Sequence, residues 1–311
     1  MRIGIWVGGV QEPMTIDAMV DQVRTVAAAG FERAWMAQLN RWDALTTLAV
    51  IGREVPGIAL GTAVVPTYPR HPMMLAGQAL TVQAAIGNRL SLGIGPSHRF
   101  IIEDQFGYSF EKPARHMREY LSALVPLLRG EAISYQGETL KAEGAVSVPG
   151  AASPSLLIAA LGPVMLRLAG ELTDGTITAW TGPITLANHI VPALTRAAAA
   201  AGRADPRVVA GILVSVTADA AAARELVNEQ FGMAGQTPSY RAMLDREGVS
   251  SPADIIVAGD EAAVERELRR YVDAGATELL AIPFGSTDDQ TRTLGLLASL
   301  ARSEQREMAH D

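Results

Sequence analysis

Eight short apolar runs, each close to continuous rather than alternating, set the strongest constraint on how this chain can fold: residues 3–7, 34–37, 58–64, 90–94, 156–159, 175–178, 208–216 and 278–282. A strand with one wet face alternates apolar and polar side chains. A run that is apolar at nearly every position belongs in a parallel sheet covered on both faces. Helical segments separate most neighbouring runs. Thr15 can cap a helix whose residues Ile16, Met19, Val20, Val23 and Ala27 follow 3.6-residue spacing, and Gly30 is placed to stop it. The same phrase returns with Asp260 as cap, Val264, Leu268, Tyr271 and Val272 as the stripe, and Gly275 as the stop before the last run. Eight alternating units of this kind argue for an α/β fold of the (β/α)8 barrel type over an open doubly wound sheet.

The longest intervals are residues 95–155, between runs four and five, and 217–277, between runs seven and eight, so insertions are expected after strands 4 and 7. In the first, Pro113 to Leu128 reads as a helix, and Ile133-Ser134-Tyr135 and Glu138 to Leu140 flank Gln136-Gly137 as a small hairpin. In the second, Phe231 to Pro252 reads as loop plus a short helix. No linker interrupts the pattern, and α/β barrels run to roughly 250 residues or more as one unit. The expectation is a single barrel domain over residues 1–311.

Composition narrows the chemistry. The 26 Lys and Arg stand against 33 Asp and Glu, a net charge of -7 that disfavours nucleic acid as a partner. The chain has no cysteine, which excludes a disulfide scaffold, a thiolate nucleophile and a cysteine-ligated metal or cluster, and fits a cytoplasmic location. No apolar run reaches the roughly 18 to 20 residues of a membrane span. The N-terminal run, Ile3 to Val10, meets Gln11 and Glu12 too early for a secretory signal. The histidines His71, His98, His116, His189 and His310 have no spacing that would put two imidazoles on one metal, so no metal site is expected. A GxSxG elbow and a phosphate-binding GxxxxGK loop are both missing. Gly93-Ile94-Gly95 begins like a dinucleotide fingerprint but has His98 where the third glycine belongs.

In a barrel, function sits on the loops that follow the C-terminal ends of the strands. After the fifth run, Gly162 allows close backbone approach and Pro163 suits the first turn of a helix. The amides of Gly162, Val164 and Met165 would then face an anion, with the positive end of the helix dipole behind them. Trp6, Trp42 and Trp180 lie at or near strand ends, where Trp6 and Trp180 are candidate walls of a substrate pocket. Arg70 and Arg99 are either solvated loop charges or attractors for an anion.

Three strand-end segments, GTAVVPTYPRHP (61–72), LGIGPSHR (92–99) and AALGP (159–163), together with DGTITAWTGP (174–183), resemble the luciferase-like flavin and deazaflavin oxidoreductases. Within that family they resemble the actinobacterial enzymes dependent on coenzyme F-420, and the resemblance spans essentially the whole chain. It implies a non-proline cis peptide between Ala63 and Val64 that backs the coenzyme ring. It implies further that Gly95, Pro96, Ser97 and His98 touch the ring and its ribityl chain, and that Ala160, Leu161, Gly162, Pro163, Val164 and Met165 hold the phosphate. Where sugar-phosphate-oxidising relatives carry a glutamate, this chain has His98, a candidate catalytic residue whose pKa lies near neutrality. Where many relatives carry an acid followed by histidine it has Gln38-Leu39, which leaves Gln38 a hydrogen-bonding role toward the cofactor.

The activity so implied is hydride transfer between coenzyme F-420 and a small-molecule substrate, in a homodimer. An FMN-dependent monooxygenase of the same barrel and a coenzyme carrier without turnover are the alternatives.

Overall fold

The apolar runs do become strands. In the computed structural model, which describes residues 1–9 and 14–308, the strands that arise from them are β1 (Ile3–Trp6), β2 (Arg33–Met36), β3 (Ala59–Thr62), β4 (Val65–Pro66), β5 (Leu90–Gly95), β8 (Ser155–Ala159), β9 (Gly175–Thr178), β10 (Arg207–Val216) and β12 (Glu278–Pro283), and three further strands, β6 (Ile133–Gln136), β7 (Lys141–Gly144) and β11 (Val257–Gly259), lie in the insertions. Gln11 and Glu12, which end the N-terminal apolar run, and His310 lie outside the described residues. Parallel pairing runs β1-β2-β3-β5-β8-β9-β10-β12, with β4 extending the β3 side. The ring closes through β10 against both β9 and β12, and through Ile3 opposite Leu279 between β12 and β1. This is a closed (β/α)8 barrel. Among the described residues no helix is long and apolar enough to cross a membrane.

A polar layer fills the barrel at the N-terminal ends of its strands. Glu278, 7% exposed at the start of β12, accepts from Trp35 Nε1 at 2.7 Å and from Arg207 Nη2 at 2.9 Å, and lies 3.4 Å from Arg33 Nε. Arg33 and Arg207 also donate to Ser91 Oγ, and Arg207 to Ser155 Oγ. The Trp35 ring crosses the interior between Gly4 and Gly61. A Cβ on either glycine would lie within 2.5 Å of the indole. With this end plugged, entry is left to the C-terminal end.

Several boundaries differ from the sequence reading. The run 58–64 is not one strand: β3 ends at Thr62 and pairing resumes only at Val65, after the cis peptide between Ala63 and Val64. The hairpin is β6 against β7, with Gln136 opposite Lys141, so its second arm starts after Leu140 rather than at Glu138. The cause is buried Glu119, whose carboxylate accepts from Glu138 N, Thr139 N and Thr139 Oγ1 and so holds the expected second arm as a turn. The second insertion carries the expected short helix, Pro238–Glu247, and adds β11, which pairs parallel with β10. Three residues are too few for periodicity to reveal that strand.

Behind β4, the helix Pro113–Leu128 presents His116. Its Nε2 lies 3.0 Å from Thr67 Oγ1, and its ring stacks on Tyr68 at 3.8 Å. Burial pushes its pKa down from 6.5 to about 4 against the pull of Glu119. A histidine kept neutral in the fold stabilises fully above its unfolded pKa and loses that stabilisation as pH falls from 6.5 towards 4, by about 2 kcal/mol after allowance for partial exposure. Urea unfolding at pH 7.5 and 5 is expected to show this loss in the wild type and a smaller one in His116→Gln. Glu278→Ala, which strands two arginines in the barrel floor, is expected to cost about 3 kcal/mol in the same assay at pH 7.5.

Candidate functional site

The open end of the barrel is organised around the interruption between β3 and β4. Thr62 is fully buried, and its Oγ1 donates to Gly93 O and accepts from Gly93 N, both at 2.8 Å. Ala63 N donates to Met36 O, and Gln38 N donates to Val64 O at 3.1 Å, so β2 grips the cis peptide from the other side. Of the facing glycines, Gly93 is required sterically and Gly95 leaves room for close contact. A Cβ on Gly93 would lie 2.0 Å from Thr62 O, and one on Gly95 would meet Val64 Cγ2 at 3.0 Å and Ala159 Cβ at 3.1 Å. Gly95 is therefore where the segments around 63–64, 95–98 and 159–163 come together. Trp6, Ala63 and Val64 pack against the apolar cluster of the barrel interior.

Beyond Pro96 the chain turns through Ser97, at φ 63°, into His98. The half-buried imidazole stacks parallel to Phe100 and meets Tyr240 edge-on, with Nε2 at 3.2 Å from the tyrosine hydroxyl. Burial lowers its pKa, so His98 is neutral at pH 7. Tyr240 belongs to the helix Pro238–Glu247 and lies 142 positions along the chain, so no local pattern could have disclosed the pair.

On the third side, β8 runs into Ala160 and Leu161. Thr176 Oγ1 accepts from Ala160 N at 3.2 Å, and His189 Nε2 donates to Leu161 O at 2.8 Å. Gly162 is the N-cap of the helix Pro163–Leu172, and no side chain caps that helix. A Cβ on Gly162 would meet nothing within 4 Å. Open space therefore borders the first turn, where a helix gathers unsatisfied amides and the positive end of its dipole. Pro163 contributes none, which leaves those of Val164 and Met165. His189 and Thr176, which fix this loop, were not apparent in the sequence.

Other candidates take different places. Gln38 spends its side chain on its own loop, accepting from Ala44 N and Arg70 and donating to Leu39 O and Trp42 O. Arg70 is held by Asp43 at 2.5 Å, and Arg99 pairs with Glu103 at 2.6 Å and lies over the Phe110 ring, so both candidate anion attractors are already occupied. His71 caps the helix Pro72–Ile86 and bonds Lys141 O. Trp6, with its indole N–H on Gly8 O, borders a shallow, solvent-open recess that Met36, Leu39 and Trp42 also line. Trp180, at φ 53°, packs on Phe231 of the second insertion and does not border that recess.

Residues 1–278 match the family model described as luciferase-like monooxygenase. A 5,10-methylenetetrahydromethanopterin reductase from Methanolobus tindarius is 30% identical over 236 residues, which cover 74% of this chain and 71% of that protein. The coenzyme F-420 dependent tetrahydromethanopterin reductase of Methanopyrus kandleri superposes with a TM-score of 0.76 at 21% identity, covering 96% of this chain and 97% of that one. The oxygenating constituent of 3,6-diketocamphane monooxygenase from Pseudomonas putida, solved with FMN, does so at 0.73 and 16% identity, over 96% and 97%. With cis Ala63–Val64 standing at the open end of a closed (β/α)8 barrel, and a family match over residues 1–278, this chain belongs to the luciferase-like monooxygenase family.

Proposed function

We propose that the protein is an oxidoreductase that moves a hydride between the deazaflavin of coenzyme F-420 and a small organic substrate. The observation that carries this reading is the uncapped helix start at Gly162, joined through Gly95 to the cis bulge at Ala63 and Val64. One end supplies amides for a phosphate, and the other supplies an apolar shelf for a flat ring. The 30% identical relative bears the name 5,10-methylenetetrahydromethanopterin reductase, and the Methanopyrus structure of like fold is named as a coenzyme F-420 dependent tetrahydromethanopterin reductase, which supports the deazaflavin reading.

When bound, coenzyme F-420 supplies a two-electron hydride couple, and the protein contributes position and electrostatics. Ala63 and Val64 back the ring, with Gly95, Pro96 and Ser97 along its side. Ala160 and Leu161 shape the loop, and the amides of Val164 and Met165, beside Gly162 and Pro163, hold the phosphate. Gln38 acts indirectly, by holding the loop that grips the bulge through its own amide on Val64 O. His98, neutral and half-buried, gives or takes the proton that accompanies hydride transfer. Trp6 walls the substrate side, and Trp180, in the loop after β9, packs against Phe231 of the second insertion and backs that wall. The reading carries with it a cytoplasmic, homodimeric enzyme formed from a single barrel domain.

Gly162→Asp tests the phosphate site without disturbing the fold, because the new side chain enters open space and aspartate is a favourable N-cap. F-420 affinity is expected to fall by 10-fold or more with thermal stability kept, and an unchanged affinity would remove the assignment. His98→Ala is expected to leave F-420 affinity within a few-fold and to cut turnover of any substrate the wild type converts by about 10²-fold. Unchanged turnover would take His98 out of the reaction.

A further inference from the structure

The second insertion brings Tyr240 to His98. The phenol oxygen lies 3.2 Å from Nε2, and the two rings meet edge-on at 5.1 Å between centroids. Neither polar group has another hydrogen-bond partner among the described residues. Both groups are neutral near pH 7, since burial pushes the tyrosine up to about 12 and holds the imidazole below its ordinary value. Between a neutral phenol and a neutral imidazole, the phenol is the stronger acid and the unprotonated ring nitrogen the stronger base, so the O–H donates to Nε2.

The helix that carries Tyr240 is moored at its far end. Glu247 accepts from Ile184 N at 3.0 Å and Thr185 N at 2.7 Å, and Met243 O accepts from Thr185 Oγ1. A Cβ on Gly182 would lie 2.2 Å from the Glu247 carboxyl carbon, so the contact needs glycine there. Tyr240 is thus held between two anchored loops, the one after β5 and the one after β9.

We infer that Tyr240 is a positioning residue for His98: its hydroxyl donates to Nε2 and fixes the imidazole as the Nδ1–H tautomer, so the ring's free nitrogen is a proton donor, and when Nδ1–H is given up Nε2 takes the phenolic proton and the ring stays neutral. A ring free to choose its tautomer would present the wrong nitrogen part of the time, and a fixed second nitrogen removes that choice. The functional meaning of the pair rests on the reading of His98 given above, whereas the position of the proton can be measured without any coenzyme.

The test is a two-bond 1H–15N correlation spectrum of protein labelled in the histidine rings, with the His98 signals assigned by their loss in His98→Asn. The wild type is expected to show His98 chiefly as Nδ1–H at pH 7.5, and Tyr240→Phe, which keeps the ring and its packing, is expected to move the population towards Nε2–H. F-420 affinity of Tyr240→Phe should stay within a few-fold of the wild type, while turnover of any substrate found falls about 10-fold. An Nε2–H wild type, or a spectrum unchanged by Tyr240→Phe, would overturn the pairing. Failure of the wild type to bind F-420 would overturn the reading of the site and with it the catalytic meaning of the pair, and the spectrum would still decide where the proton sits.

Discussion

One buried carboxylate determines which end of this barrel can do chemistry. Glu278 sits between Arg207, Arg33 and the Trp35 indole where the strands begin, with Ser91 and Ser155 accepting further guanidinium protons. Burying a charge is tolerable only when it is paired and its lone pairs are used, and here both conditions are met. The two arginines draw β2, β5, β8, β10 and β12 into one layer, and Trp35 fills the space that Gly4 and Gly61 leave open. With that end solid, the loops at the other end hold whatever the protein binds.

The open end is built by the same kind of constraint, in which small residues admit neighbours at close range. Gly93 lets the Thr62 hydroxyl and carbonyl approach, and Gly95 lets Val64 and Ala159 meet across it. Thr176 and His189 then hold the loop between β8 and its helix. The result is a shelf at Ala63 and Val64 and an uncapped helix start at Gly162, joined by a loop that carries His98. The insertion after β10 brings Tyr240 to His98, and its attachment through Glu247 ties that contact to the loop after β9.

The barrel was legible because burial on both faces leaves a direct trace, the unbroken apolar run, and because Thr15 and Asp260 cap the helices they were expected to cap. The break inside 58–64 leaves no such trace in hydropathy, and only the family resemblance pointed to the Ala63–Val64 bond. What escaped was set by partners distant in the chain. Glu119 decides where the small hairpin turns, Asp43 takes up Arg70, and His98 finds Tyr240. Each is a hydrogen bond or ion pair between segments, and a pattern read along one segment cannot register the other. Gln38 is a similar case: the residue type fits a hydrogen-bonding role, but its partners are Ala44, Arg70 and the carbonyls of its own loop.

The central claim is that the shelf at Ala63–Val64 and the helix start at Gly162 together form a deazaflavin site. It is tested most directly by fluorescence titration of the purified protein with coenzyme F-420, repeated in the presence of FMN. Saturable binding of the deazaflavin that FMN does not displace is the expected result. Preferential binding of FMN would contradict the account and turn the same barrel into a flavin-dependent monooxygenase.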